Sequence, residues 1–98
     1  MIYVIAELNL KPGTAEKAAA AARIAVAATV EEDGCISYDM HLSVSDPTRL
    51  VVVERWASRA ALARHLEAPH LQAWRAASAD FVAGRKVDII TPEKVDSP

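Results

Sequence analysis

Apolar residues recur at every second position at the start of the chain, and this pattern limits the folds open to it. They are Ile2, Val4, Ala6, Leu8 and Leu10. Successive side chains of a β-strand point to opposite faces, so this period predicts a strand with one buried face. Segments 35–44 and 49–56 have the same period and are joined by a turn at Asp46-Pro47-Thr48. The chain is therefore expected to form an antiparallel sheet that contains a hairpin.

Helical segments are expected between the strands. Lys11-Pro12-Gly13 ends the first strand, and Thr14 can cap the helix that follows. Ser58 can cap a short second helix, while Pro69 suits the first turn of a third. The first helix is expected to bury a narrow apolar stripe made of Ala15, Ala19, Ala22, Val26 and Val30.

The order of these segments predicts the fold class. A last strand is expected over residues 85–91. The order βαββαβ, with the second α unit split in two, is that of a ferredoxin-like α+β fold with helices on one face of an antiparallel sheet. One domain is expected over residues 1–92, followed by a polar C-terminal tail at 93–98.

The hairpin decides which side chains share the helix-facing side of the sheet. Pairing continued from the turn sets Met40 opposite Glu54 and Tyr38 opposite Trp56. All four side chains are then expected to face the helices. Cys35 is expected on the other face, as an inert and partly buried thiol.

The face opposite the helices predicts a subunit interface. Hydrophobic residues make up 52% of the 98 residues, which is much apolar material for so small a core. On the opposite face, apolar side chains are mixed with charged ones such as Glu7 and Arg55. The apolar members are Tyr3, Ile5, Val51 and Val53. A homodimer that buries this face is expected.

Charge and cysteine content exclude several classes of partner. A net charge of −2 and a pI near 5.9 provide no basic patch, so nucleic-acid binding is not expected. The single cysteine rules out an internal disulfide and favours a reducing compartment. No leader pattern and no apolar run of ~20 residues is present. A cytoplasmic protein without a membrane partner is expected.

Glu54 is the first candidate for chemistry. It lies in the helix-facing register, where burial would raise the pKa of its carboxyl group, so it could act as a base or as a hydrogen-bond donor. The alternative is a structural carboxylate paired with a backbone donor, Tyr38 or His65. Trp56 and Tyr38 are either core anchors or flat walls for an aromatic substrate.

His65 is the second candidate, because it borders the apolar face of its short helix. A neutral imidazole there could deprotonate a phenol near neutral pH, although it could equally be a structural histidine that a buried carboxylate satisfies. His70 is interpreted as solvated or capping. No metal site is expected, because Pro69 separates the two histidines, their spacing is not i, i+4, and Cys35 lies on the other face.

Three segments carry a family resemblance: Glu32-Asp33-Gly34-Cys35-Ile36-Ser37-Tyr38, Glu54-Arg55-Trp56, and Leu62-Ala63-Arg64-His65 with His70 beyond. Together they resemble the antibiotic biosynthesis monooxygenase family. The resemblance implies a homodimeric α+β barrel whose pocket lies between sheet and helices. It also implies oxidation of a small quinol or phenol by O₂ without a cofactor.

By that resemblance, His65 or Glu54 would be the catalytic base. The implied substrate-binding residues are Trp56, Tyr38, Met40, Val52, Leu62 and His70.

Two other functions stay open. The heme-degrading relatives would have asparagine at Ala6, tryptophan at His65 and the iron-ligating histidine at Arg75, and none of the three is present. Heme degradation is therefore ranked below the cofactor-free reaction. A dimeric barrel that binds a small ligand or serves in a stress response without catalysis is the third hypothesis.

Overall fold

The computed structural model describes residues 1–98, the whole chain. It contains four strands and three helices in the predicted order. The elements are β1 (Ile2–Leu10), α1 (Ala15–Thr29), β2 (Cys35–Leu42), β3 (Arg49–Trp56), α2 (Arg59–Leu66), α3 (Pro69–Ser78) and β4 (Val82–Ile90). The predicted ferredoxin-like α+β class is confirmed, although β4 begins three residues earlier than expected.

The sheet has the strand order β2-β3-β1-β4, and every neighbouring pair is antiparallel. The even-numbered side chains of β1 are buried in one core cluster with residues from all three helices. The alternate side chains of β1 lie on the opposite face, which no helix covers. The β1 pattern of the sequence therefore separates a closed core from an open sheet face.

Helix α1 packs on the sheet through a different stripe of residues from the predicted one. Its buried residues are Ala18, Ala22, Ala25 and Thr29. Of the predicted stripe, only Ala22 is fully buried, and Val30 is 45% exposed. Alanine occurs on several sides of this helix, so its apolar pattern does not specify one face. Thr14 makes no capping hydrogen bond to the helix, whereas the Ser58 side chain accepts one from the Ala61 backbone as predicted.

The predicted hairpin register is wrong by two residues. Met40 pairs with Val52, Tyr38 pairs with Glu54, and Cys35 lies opposite Trp56. A bulge between Cys35 and Ser37 interrupts the pairing. It leaves Ile36 53% exposed and turns the Cys35 side chain onto the core, contrary to the expected opposite face.

The edge strand β4 is only partly covered on its helix side. Val87 pairs with Ala6 and Ile89 with Val4, so both share the core-facing register of β1, yet they are 51% and 43% exposed. The helices therefore leave an opening along this edge. Residues 93–98 form an exposed tail without regular structure. None of the helices has the length and hydropathy that a membrane span requires.

Candidate active site

A cavity of about 110 Å³ lies between the helix-facing side of the sheet and helices α2 and α3. Its wall is mainly apolar, and it reaches the exposed edge of β4 at Val87 and Ile89. Five of the residues proposed from the sequence line it: Tyr38, Val52, Glu54, Leu62 and His65. The fold thus brings both candidate bases into one cavity.

Glu54 is the carboxylate of this cavity. It is 7% exposed, and its Oε1 accepts a hydrogen bond of 2.9 Å from the indole Nε1 of Trp56. Glu54 makes no hydrogen bond to Tyr38 or His65, the side-chain partners expected from the sequence. Burial raises the pKa of Glu54 from 4.5 to about 7, although the Trp56 hydrogen bond acts in the opposite direction. Near neutral pH, the carboxyl group is therefore present in both protonated and ionised forms.

His65 is almost fully buried, at 2% exposure, and is held between aromatic rings. Its ring centroid lies 4.7 Å from that of Trp56 and 5.4 Å from that of Tyr38. Nδ1 lies 2.6 Å from Oε2 of Glu32, so the carboxylate partner considered from the sequence is present. Burial lowers the pKa of His65, while the Glu32 hydrogen bond partly offsets that shift.

The contact with Glu32 decides the tautomer of His65. An ionised carboxylate only accepts hydrogen bonds, so Nδ1 carries the proton that it donates to Glu32. In the neutral ring Nε2 is then a hydrogen-bond acceptor. Nε2 makes no hydrogen bond to the protein, and no buried polar atom lacks a partner. Nε2 is therefore the ring nitrogen of His65 that is left without a hydrogen-bond partner in the protein.

Glu32 was not among the site residues proposed from the sequence. It lies in the turn after α1, which packs on α2 through Gly34. Gly34 has a φ of +84°, and a Cβ added there would lie 2.5 Å from the Cβ of Ala61. Only glycine allows this approach, which brings Glu32 beside α2. The signal in the sequence was that Glu32 begins the first segment of the family resemblance.

Three of the residues proposed from the sequence do not line the cavity: Trp56, Met40 and His70. Trp56 is fully buried, donates a hydrogen bond to Glu54 and packs on the ring of His65. Met40 lies in a separate groove between α1 and β2, beside Asp39.

Nε2 of His70 lies 2.7 Å from the same Oε2 of Glu32 and donates a hydrogen bond to this carboxylate. This contact corrects the interpretation of His70 as a solvated or capping residue.

Two arginines give the cavity a positive edge. Arg75 of α3 and Arg85 of β4 both belong to its lining, and neither forms an ion pair with a carboxylate. Within the cavity, burial and the Glu54 carboxylate raise the pKa of Tyr38 well above its usual range. Tyr38 therefore stays a neutral hydroxyl that can donate a hydrogen bond.

The arrangement is also informative about cation binding. The possible ligand atoms of Glu32, His65 and His70 all lie within 4.8 Å of one another. The sequence spacing suggested that the two histidines would not converge, but the junction of α2 and α3 turns both toward one carboxylate. Cys35 lies near this cluster, and burial followed by the charges of Glu32 and Glu54 raises the pKa of its thiol.

Comparison with known proteins relates this site to a family. The sequence profile described as antibiotic biosynthesis monooxygenase matches residues 1–77. The chain belongs to the antibiotic biosynthesis monooxygenase family. All the hydrogen-bonded residues of the site, from Glu32 to His70, fall within the matched segment of this monooxygenase domain.

Similarity within the antibiotic biosynthesis monooxygenase family extends over nearly the whole chain. The probable quinol monooxygenase YgiN of Escherichia coli is 32% identical over 102 residues, which cover 94% of this chain and 98% of YgiN. A solved structure from Nitrosomonas europaea has a TM-score of 0.90 at 30% identity, covering 96% and 100% of the two chains. The structure of Rv0793 from Mycobacterium tuberculosis has a TM-score of 0.88 at 31% identity, covering 98% of each.

Proposed function

We propose that this monooxygenase oxidises a single-ring quinol or phenol with O₂ and needs no cofactor. The observation that carries the proposal is the state of His65: Glu32 holds Nδ1, and Nε2 is left as an acceptor in an apolar cavity. Such an imidazole can remove a phenolic proton at neutral pH. The relationship to YgiN, whose name describes a probable quinol monooxygenase, supports the same class of substrate.

The proposed reaction begins with proton transfer from the phenol to Nε2 of His65. The phenolate gives one electron to O₂, and the resulting aryloxyl radical and superoxide combine at a ring carbon. The O–O bond then breaks, so that one oxygen stays as a carbonyl and the other leaves as water with the two hydrogens removed from the substrate. Arg75 and Arg85 stabilise the phenolate, while Tyr38 and the neutral form of Glu54 donate hydrogen bonds to it.

The size of the cavity limits the substrate. At about 110 Å³ it is smaller than the ~150 Å³ cavity that accepts benzene in another protein. A single ring therefore has to extend toward the opening along β4, where Val87 and Ile89 are exposed. Larger fused rings would require the helices to move away from the sheet.

Oxygen uptake by chelator-treated protein tests this function. With a panel of hydroquinones, catechols and naphthols, we expect catalysis on at least one single-ring compound, at one O₂ consumed per quinone formed. With ¹⁸O₂, the product should gain one labelled oxygen and the other should appear in water. If no compound is turned over above the protein-free rate, the non-catalytic ligand-binding barrel becomes the better description.

The open sheet face leads us to propose a homodimer. Ile5 is 37% exposed and pairs with Val53 on the sheet face that no helix covers. Tyr3 and Val51 lie on the same face. Stacking two such faces removes this apolar surface from water. Val53→Arg should convert a dimer into a monomer at micromolar concentration, because an unpaired guanidinium would be buried. Light scattering measures the mass.

Val44→Arg is the matched control for the dimer. Val44 is fully exposed near the hairpin turn, so the same substitution there should leave the mass unchanged. A parent protein that is monomeric at micromolar concentration contradicts the dimer.

The raised pKa of Glu54 predicts a pH-dependent stability. Below 4.5 the group is protonated in both folded and unfolded chains, and between 4.5 and about 7 only the folded state holds the proton. The free energy of unfolding should therefore fall as pH rises through this interval, by about 1–3 kcal/mol. Glu54→Gln keeps an acceptor for Trp56 and should remove this dependence. Urea unfolding at pH 4, 5.5 and 8 measures it.

Glu93→Gln is the control for this measurement, because Glu93 is exposed in the C-terminal tail. It should preserve the pH dependence of the parent. Parallel stability profiles for the parent and Glu54→Gln would mean that folding does not raise the pKa of Glu54. Lower quinol turnover in Glu54→Gln at unchanged melting would assign its carboxyl group a role in the reaction.

A further inference from the structure

Three possible metal ligands from separate segments converge on one point beside the cavity. His65 Nδ1 and His70 Nε2 lie 2.6 and 2.7 Å from the same oxygen of Glu32. Glu32 comes from the turn after α1, His65 from α2 and His70 from α3. Two imidazoles and a carboxylate are a common donor set for zinc and for other divalent first-row metals. We propose that Glu32, His65 and His70 bind one Zn²⁺-like ion, and that the bound ion blocks His65 as a base.

The distances show how far the three ligand atoms must move to hold an ion. With bonds of about 2.0–2.1 Å in a tetrahedral site, ligand atoms lie about 3.3 Å apart. The two hydrogen-bond distances must therefore lengthen by less than about 1 Å. The two ring nitrogens, which lie within 4.8 Å of each other, must approach to about 3.3 Å. The Glu32 and His70 side chains are 16% and 25% exposed, so an ion can enter and water can supply the fourth ligand.

Metal binding changes the position of the imidazole protons but not their number. Neutral His65 carries its proton on Nδ1 while it donates to Glu32. When the ion takes the lone pair of Nδ1, the proton moves to Nε2, the nitrogen that the proposed reaction uses as its acceptor. The blocking of His65 therefore rests on the proposed function, whereas the binding of the ion does not.

Calorimetric titration of Zn²⁺ into the chelator-treated full chain tests the binding. We expect one ion per chain. Loss of a second-shell partner weakens metal binding by about 10–100-fold, so loss of the direct ligand in His70→Gln should weaken it by at least that factor. Glu31→Gln, which changes the exposed carboxylate next to Glu32 in the chain, should bind like the parent. Co²⁺ should give visible d–d bands in the parent and lose them in His70→Gln.

Two outcomes overturn the site. One is that the parent binds no Zn²⁺ at micromolar concentration. The other is that Glu32→Gln and His70→Gln bind Zn²⁺ as tightly as the parent does. Melting curves of both variants without metal show whether weaker Zn²⁺ binding comes from unfolding. If one of the two variants is unfolded, the other one carries the test.

Quinol oxidation separates this site from the proposed function. Stoichiometric Zn²⁺ should inhibit the parent and should not inhibit His70→Gln at the same concentration. Binding of Zn²⁺ by a protein that oxidises no quinol would remove the proposed function and leave the metal site intact. Full activity of the parent with one ion bound would show that the ion does not block the base.

Discussion

Replacing His65 by glutamine should lower kcat for an active quinol by about 10²- to 10⁴-fold, the range contributed by a positioned general base. Glutamine retains an amide that can hydrogen-bond to Glu32, but it does not accept a proton at neutral pH. KM should change much less, because the apolar walls formed by Val52 and Leu62 remain. Oxygen uptake at saturating quinol, in the presence of a chelator, gives both constants.

Two further variants show whether the loss belongs to the base. Glu31→Gln should have the activity of the parent, since Glu31 is exposed in the turn after α1 and does not line the cavity. Glu32→Gln removes the charge that fixes the His65 tautomer, so it should lose activity to a smaller extent than His65→Gln. If His65→Gln retains the parent kcat while folded, His65 is a structural residue of the cavity wall.

Local patterns were sufficient to predict the fold. The alternation in β1, the Pro-containing turn before β3 and Pro69 at the start of α3 specify elements whose order allows few topologies. They also predicted that Glu54 and His65 face the same side of the sheet. Each of these predictions depends on which side of one element a residue occupies, and side-chain period reports that directly.

The hairpin register shows what a period cannot specify. The predicted and observed pairings of Tyr38 differ by two residues, from Trp56 to Glu54. A shift by two keeps every side chain on the same face, so the alternating pattern fits both registers equally well. The bulge at Cys35 does change faces, and no apolar alternation could reveal it.

The missed member of the site is a long-range partner. Glu32 lies 33 residues before His65 and 38 before His70. Its contact with them depends on how the turn after α1 packs against the junction of α2 and α3. A polar residue at the start of a short helix is normally solvated, so His70 by itself gave no sign of this contact. The close approach of Gly34 to Ala61 lets this turn lie against α2.

Trp56→Ala should cause the largest loss of stability, about 3–5 kcal/mol in the free energy of unfolding. Trp56 is completely buried, and its indole packs on the ring of His65. Its removal leaves a cavity and also takes the hydrogen-bond donor from Glu54. Urea unfolding at constant pH measures the loss, and a change below about 1 kcal/mol would contradict the structural role of this side chain.

Trp56→Phe isolates the hydrogen bond from the packing and remains testable if the alanine variant does not fold. The Nε1–H of Trp56 stabilises the ionised form of Glu54, so its loss raises the pKa of Glu54 further. The destabilisation by Trp56→Phe should therefore be greater at pH 8 than at pH 5.

Trp74→Phe is the matched control, because Trp74 is 8% exposed and makes no hydrogen bond to a carboxylate. Its effect should be the same at both pH values, whereas equal pH dependence in the two variants would show that the indole N–H does not control the charge of Glu54.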